Sequence, residues 1–354
     1  MAPALRLEPY RLPLRRPWRS ARGELRERAG WLVIAERDGI RGYGDCAPLP
    51  AAGTEPPDRA AERLRHWCQR AAAGDDPRSL LGDLAAESGT PCADAAVETA
   101  LLDLEARRRG LTLRRLLAGV EVARDAVAVN AMLGAAGRID PDRVTTLVAR
   151  GFRVLKLKVG DAPWQQELAC VQALAARLPD GHALRLDANG AWGPAGARAF
   201  IAGLDGLPID ALEEPLRDPD DAGLVALQQR AGFSLALDES LPGRPRPIDP
   251  ARLPVRRLVL KPGAIGGPRR TLALARLARA AGREVVLTSL VESAAGLWAT
   301  AQLAAASGSP LAHGLATGDW LARDLGPAPL PARGRIRLPA AAGSGFEPRQ
   351  GWGA

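Results

Sequence analysis

Apolar positions along this chain follow two rhythms in succession. Residues 1–45 alternate with a period of two, in a meander over Leu5–Tyr10, over 24–36 around a hinge, and over Gly39–Asp45. The run Trp31-Leu-Val-Ile-Ala-Glu-Arg leads into Asp38-Gly39, a pair suited to a tight hairpin turn. From Pro57 to about Ala118 the apolar residues recur every three or four positions, most clearly over Asp94–Arg108, which predicts helices. After Ala126 short apolar runs alternate with helical stretches. The runs are Val127–Ala131, Val154–Lys158, Leu184–Leu186, Ile209–Leu212, Leu235–Leu237, Leu258–Leu260, Val285–Leu287 and a weaker Leu311–Leu315. Each but the last is followed by a helical segment. Eight such units in roughly 200 residues predict an α/β fold, a (β/α)8-type barrel preceded by a smaller α+β domain. No Gly-x-Gly-x-x-Gly follows the first run, which argues against an open dinucleotide-binding sheet. The expected division is 1–122 for the smaller domain, 123–324 for the barrel, and 325–354 for a Pro-, Gly- and Ala-rich tail that packs back on the first domain.

Composition narrows the function classes. The 354 residues are 47% hydrophobic, enough for a large core plus a smaller one. A net charge of +8 raises nucleic acid as a partner. The arginines are interspersed with acids, however, and aromatics are only 4%, so neither a basic stripe nor a stacking surface is expected. Cys46, Cys68, Cys92 and Cys170 form no CxxC pair, as expected of a reduced, cytoplasmic protein. The first residues lack the apolar run of a signal peptide, and no apolar stretch reaches the roughly 20 residues that span a bilayer, so no membrane association is expected.

Of the 48 basic side chains only three are lysines: Lys156, Lys158 and Lys261. A guanidinium hardly ever deprotonates, whereas a buried amine can act as base or nucleophile, so lysines kept in such an arginine background point to chemistry. All three end apolar, strand-like runs, where barrels place their active sites. The next run ends in Arg185-Leu-Asp187-Ala-Asn189, the following ones in Glu213-Glu214-Pro215, Asp238-Glu239-Ser240 and Lys261-Pro262. Steps from Lys158 to Asp187, Glu213, Asp238 and Lys261 are 29, 26, 25 and 23 residues, one barrel unit each. Asp187, Glu213 and Asp238 would therefore surround one pocket, a set of oxygen donors suited to Mg²⁺, with Mn²⁺ as the alternative. Lys158 and Lys261 would face it from opposite sides. Glu214, Glu239 and Ser240 are expected in supporting or capping roles. Such a site suits proton abstraction next to a carboxylate on a small-molecule substrate, with a lysine as base. A Schiff-base aldolase acting through Lys261 is a competing reading, although it leaves the three carboxylates without a task.

The motifs Lys156-x-Lys158, Asp187-x-Asn189, Glu213-Glu214-Pro215, Asp238-Glu239-Ser240 and Lys261-Pro262 resemble the muconate-lactonizing-enzyme branch of the enolase superfamily, as does Gly42-Tyr-Gly-Asp-Cys-Ala-Pro-Leu-Pro50. A lysine base working beside Mg²⁺ is an established arrangement in that superfamily. Asp45 stands where relatives often carry Glu. Within the branch, the segments at Leu258–Gly263, Thr288–Gly296 and His313–Gly318 look most like the o-succinylbenzoate synthases. That resemblance implies an N-terminal capping domain and a Mg²⁺-dependent dehydration. Lys158 would be the base and then the acid, and Lys261 the cation opposite it. Asp187, Glu213 and Asp238 would be the metal ligands. Lys156, Arg185, Asn189 and Ser289 would be substrate contacts, and Arg15–Arg19 a lid loop. Two facing lysines also serve a racemase, and an N-succinylamino acid racemase is the alternative the resemblance leaves open. No Asp-x-Asp pair follows the seventh run to hold a dipeptide ammonium.

Overall fold

The computed structural model describes residues 3–20, 23–84, 89–119 and 124–352. Strands β1 (Ala4–Ser20), β2 (Gly23–Arg37) and β3 (Ile40–Cys46) form an antiparallel sheet in chain order. Asp38 and Gly39 link β2 to β3 with φ of 54° and 75°, the positive values a two-residue hairpin turn needs. The stretch expected as a loop at Arg15–Arg19 instead belongs to β1. It pairs with β2 as far as Ser20 and Gly23, after a register shift between Pro13 and Trp18. Arg15 and Arg16 are exposed and Trp18 is half-buried, while the side chain of Arg19 lies outside the described residues.

Four helices follow: α1 (Pro57–Ala72), α2 (Pro77–Leu84), α3 (Pro91–Arg108) and α4 (Leu113–Ala118). Helix α3 is buried on nearly every side, with Asp94, Glu98 and Asp103 among the buried residues. Asp94 accepts from Arg63 and Trp67, Glu98 from Arg269, and Asp103 from the backbone of Tyr43 and Ser344. Strand β3 lies directly on this helix. A Cβ on Gly44 would stand 1.9 Å from the carbonyl oxygen of Ala96, and one on Gly42 would stand 2.1 Å from the nitrogen of Leu104. Only glycine lets main chain approach main chain so closely.

The rest of the chain alternates strand and helix. Its elements are β4 (Ala126–Ala128), β5 (Ala131–Ala135), α5 (Pro141–Ala149), β6 (Val154–Lys158), α6 (Trp164–Ala175), β7 (Ala183–Asp187), α7 (Pro194–Gly203), β8 (Ile209–Glu213), α8 (Asp221–Arg230) and β9 (Ser234–Leu237). They continue with β10 (Arg257–Leu260), α9 (Pro262–Ile265), α10 (Pro268–Ala280), β11 (Glu284–Leu287), α11 (Ala294–Ala306) and β12 (Arg335–Arg337). Strands β5 to β11 form one parallel sheet in chain order. Leu155, Leu157, Leu184, Leu186, Leu212, Leu235 and Leu258 are fully buried within one continuous core shared with the helices.

Three expectations are corrected here. The run Val127–Ala131 is two strands, because β4 leaves the parallel sheet to pair antiparallel with β12. The run Leu311–Leu315 is no strand. Its His313 and Gly314 make single bridges to Val129 and Thr288, and so connect the two edges of the sheet. Between β9 and β10 the only helical turn among the described residues is a 3₁₀ turn at Pro250–Arg252. Pro242, Pro245, Pro247, Pro250 and Pro254 punctuate that segment and remove the N–H groups an α-helix would need.

The tail crosses back to the first sheet. Leu321, Leu325 and Phe346 share a buried cluster with Tyr10, Leu12, Leu32, Ile34 and Tyr43, and the Phe346 ring meets Tyr43 edge-on at 5.3 Å. Arg15 N–H donates to the carbonyl of Trp320, and Ala322 N–H to that of Pro13. The expected boundary after residue 122 falls in 120–123, outside the described residues. No described helix is long and apolar enough to cross a membrane. The contact of β3 with α3 predicts that Gly44→Ala lowers unfolding stability by about 1–3 kcal/mol, the usual cost of forcing atoms into a packed contact. Chemical denaturation should show this loss, and should show almost none for Gly39→Asn, a turn position with nothing within 4 Å and a φ that Asn accepts.

Candidate active site

Parallel register brings the charged strand ends to one level. Lys158 pairs with Asp187 across β6 and β7, and Asp187 with Glu213 across β7 and β8. Asp238 and Lys261 directly follow β9 and β10. If His313–Gly314 is counted as the eighth position after β5–β11, Lys158 stands on the second and Lys261 on the sixth, so the two lysines enter from opposite sides. The turn beyond Lys158 is fixed from below. Glu167 on α6 accepts the backbone N–H groups of Gly160, Asp161 and Ala162.

The carboxylates at these ends are buried and densely paired. Lys156 Nζ lies 2.8 Å from Asp187 and 2.5 Å from Glu213. Lys261 Nζ lies 2.7 Å from Asp238 and 3.1 Å from Glu239. Burial works against charge on both amines, but the surrounding carboxylates outweigh it and hold both firmly protonated. Burial also pushes the carboxyl groups of Glu213 and Asp238 upward. Asp187 adds to this at Glu213 and Glu239 at Asp238, with Lys156 and Lys261 respectively opposing it. Glu239 moves the other way, because Lys261 and Lys156 outweigh its burial. Lys158 differs from its two counterparts. Its ion pair is a longer one, 3.4 Å, to the half-exposed Asp161.

The negative charge is not fully matched. Asp238 Oδ1 touches the Lys261 ammonium without hydrogen-bond geometry, and neither it nor the buried Glu239 Oε2 has a hydrogen-bond partner. Oxygen donors left unsatisfied among like charges suit a hard divalent cation. Asp187, Glu213 and Asp238 do not close to within 4.8 Å of one another, and ammonium groups stand among them. The described trio that does close to that spacing is Cys46, Glu55 and Cys92, elsewhere in the protein, where Glu55 accepts the N–H groups of Cys92 and Ala93 at the start of α3.

A cavity of about 220 Å³ opens over these groups. Lys156, Lys158, Asp187, Asn189, Asp238, Glu239, Lys261 and Ser289 all line it. Asn189 enters with a φ of 44° and donates its N–H to Asp187 at 3.1 Å. Ser289 Oγ lies 2.9 Å from Thr317 Oγ1. Glu213 sits just beneath the wall, 1% exposed. Glu214 caps the next turn through Asp238 N–H and Ser240. Arg185 is absent from the wall. It is 1% exposed inside the sheet, with Nε 2.7 Å from Asp210 and Nη1 donating to Asn130. The expected substrate contact is thus a buried link between strands. Sequence reasoning missed Asn130, Met132, Thr317 and Trp320, which also line the cavity. Asn130, a polar residue in the first apolar run after Ala126, and Thr317, inside the singled-out segment His313–Gly318, carried a readable signal; Met132 and Trp320 did not.

A family model described as enolase C-terminal domain-like matches residues 140–352. The o-succinylbenzoate synthase of Desulfotalea psychrophila is 28% identical over 346 residues, covering 89% of this chain and 93% of the relative. The hydrophobic dipeptide epimerase of Citrifermentans bemidjiense is 32% identical over 365 aligned positions, covering 96% and 95%. A dipeptide epimerase from Enterococcus faecalis, solved with Mg and the dipeptide L-Leu-L-Tyr, superposes with a TM-score of 0.84 at 25% identity, over 98% of this chain and 99% of that one. A family match across more than half of the chain, with a relative 32% identical along nearly all of it, makes this protein a member of the enolase superfamily, whose members are enzymes that bind Mg²⁺.

Proposed function

We propose that this protein dehydrates 2-succinyl-6-hydroxy-2,4-cyclohexadiene-1-carboxylate to o-succinylbenzoate, a step of menaquinone biosynthesis, in the cytoplasm. In this reading residues 123–324 form a (β/α)8-type barrel that carries the chemistry. Residues 1–122 cap it, and 325–354 pack on the cap. The observation that carries the reading is the arrangement of lysines. Lys158 at the end of β6 and Lys261 just after β10 both line the cavity, and Lys158 makes a longer ion pair, 3.4 Å against 2.7 Å.

Asp187, Glu213 and Asp238 would hold Mg²⁺, which neutralises negative charge developing on the substrate carboxylate. Lys158, the least neutralised amine, takes the proton alpha to that carboxylate and returns it to the departing ring hydroxyl. Lys261, kept protonated by Asp238 and Glu239, stabilises the enediolate from the opposite side. Lys156 pairs with both Asp187 and Glu213. Asn189 and Ser289 orient the substrate from the wall. Trp18, Leu49, Ala51, Met132, Val291 and Trp320 give the remaining wall an apolar character that suits a carbocycle.

A second reading, racemisation of an N-succinylamino acid, is favoured by the same pair of facing lysines, since one could remove and the other return a proton. Epimerisation of a free dipeptide has less support despite the 32% identical relative. The segment Thr288–Glu292 presents Thr288, Ser289, Leu290 and Val291 to the cavity and no acidic pair for an ammonium.

Purified protein given the cyclohexadiene substrate should form o-succinylbenzoate, followed by ultraviolet absorbance, and lose that activity in EDTA. No conversion by folded, Mg²⁺-loaded protein, with alpha-proton exchange of an N-succinylamino acid in D₂O, would transfer the assignment to the racemase. Borohydride trapping of a keto substrate on Lys261, with activity surviving EDTA, would instead support the aldolase. Lys158→Ala and Lys261→Ala should each lower kcat by about 10²–10⁴-fold, the range for a positioned acid–base group, with Mg²⁺ affinity changing far less. Substantial activity in Lys158→Ala would remove that residue as the base. Asp238→Asn should weaken Mg²⁺ binding by calorimetry and lower activity together.

A further inference from the structure

Arg28 on β2 is 2% exposed, lies outside the cavity, and directs its donors to main-chain carbonyls. Nε donates to Val291 at 3.1 Å, Nη1 to Pro48 at 3.1 Å and Nη2 to Ala47 at 2.5 Å. These acceptors belong to two segments far apart in the chain, and both build the wall of the active-site cavity. Pro48 leads into Leu49, Ala51 and Ala52, and Val291 is itself part of the wall.

Val291 is the more telling partner. Its φ is 57°, in the left-handed region, where a β-branched side chain is sterically disfavoured. Such a conformer persists only when its surroundings hold it. Here its carbonyl is held by Arg28 and its N–H by Ser289 Oγ at 3.2 Å, which in turn meets Thr317. Asp45 lies close enough to Arg28 to feel its charge. Its own oxygens accept from Tyr10 and from the N–H of Ser293, so the segment beyond Val291 is tied to the same sheet. A guanidinium suits this task because its planar fork spreads donors over acceptors that a point-like ammonium cannot reach together.

We infer that Arg28 is a positioning residue: it clamps residues 47–48 to Val291, holds Val291 in its strained conformation, and thereby sets the shape of the apolar wall that selects the substrate. The effect on substrate rests on the function proposed above, while the clamp itself does not.

The test combines amide hydrogen exchange with kinetics on the full chain, with Mg²⁺ present. Arg28→Met should raise exchange at residues 47–52 and 289–293 while leaving α6 and α7 unchanged. It should raise KM for the cyclohexadiene substrate by about tenfold and leave kcat within about threefold, because no reacting atom is touched. With Val291→Gly already in place, the same change should raise KM less than about threefold, since glycine adopts this φ without strain. Exchange that is unchanged at both segments, or raised uniformly along the chain, would overturn the clamp. An equal KM effect with and without Val291→Gly would overturn the role of strain. If the wild-type protein turns over no cyclohexadiene substrate, the proposed function fails and the exchange pattern alone decides the clamp. Should Arg28→Met not fold, Arg28→Lys, which keeps the buried charge but not the fork, carries the same comparison.

Discussion

Asp187, Glu213 and Asp238 are each less than a tenth exposed, and at that depth an uncompensated charge costs several kcal/mol. Their neighbours are arranged around this cost. Lys156 serves two of them and Lys261 the third, and Arg185 and Arg257 share Asp210 one layer deeper. Breaking any one pair would leave its partner buried and alone, so these groups stand or fall together. The same arrangement explains how three lysines in one strand-end cluster can differ. Two are consumed in balancing buried acids, and the third, Lys158, is held near its cavity by backbone rather than by charge. The Glu167 carboxylate fixes the turn after it, and among the described residues the ion pair of Lys158 Nζ is the longer one to half-exposed Asp161.

Much of this could be read from the chain. Charged residues that end apolar runs at steps of one barrel unit are conspicuous against leucine and valine, and the parallel register delivers them to one level, as it does for Lys158, Asp187 and Glu213. What alternation cannot express is depth. Arg185 shares a strand face with Asp187 and a level with Lys156, which reaches the wall, but its guanidinium is turned onto Asp210 and Asn130 inside the sheet, a choice of partner that alternation does not encode. Contributions from distant segments are equally hidden. Met132 and Trp320 carry no local mark of the cavity they line. Trp18 reads as a loop residue, because a run broken by Pro13 and Pro17 does not look like a strand until its partner β2 is seen.

The N-terminal sheet is more than a cover. Its three strands reach the rest of the chain through different chemistry: β1 through backbone bonds to Trp320 and Ala322, β2 through Arg28, and β3 through Asp45 at the start of α11. Two more carboxylates, Asp324 and Glu292, gather at that helix start. Burial raises them to about 6 and about 7 respectively. Beside the apolar cluster of Leu12, Ile34, Val291 and Ala295, the junction thus carries buried polar groups, which demand orientation in a way that apolar contacts do not.

The seam of the parallel sheet has a consequence for how the chain can be cut. Among the described residues the two edges meet through His313 and Gly314, and next to that seam β4 is paired with β12, a strand from the tail. The start of the strand-and-helix half and the tail are thus laced together beside the bridges that join the two edges of the sheet. Trimming the C-terminus as far as Arg335 would strip β4 of its partner and loosen the seam, so the tail acts as a fastening for a sheet whose working groups lie far from it in sequence.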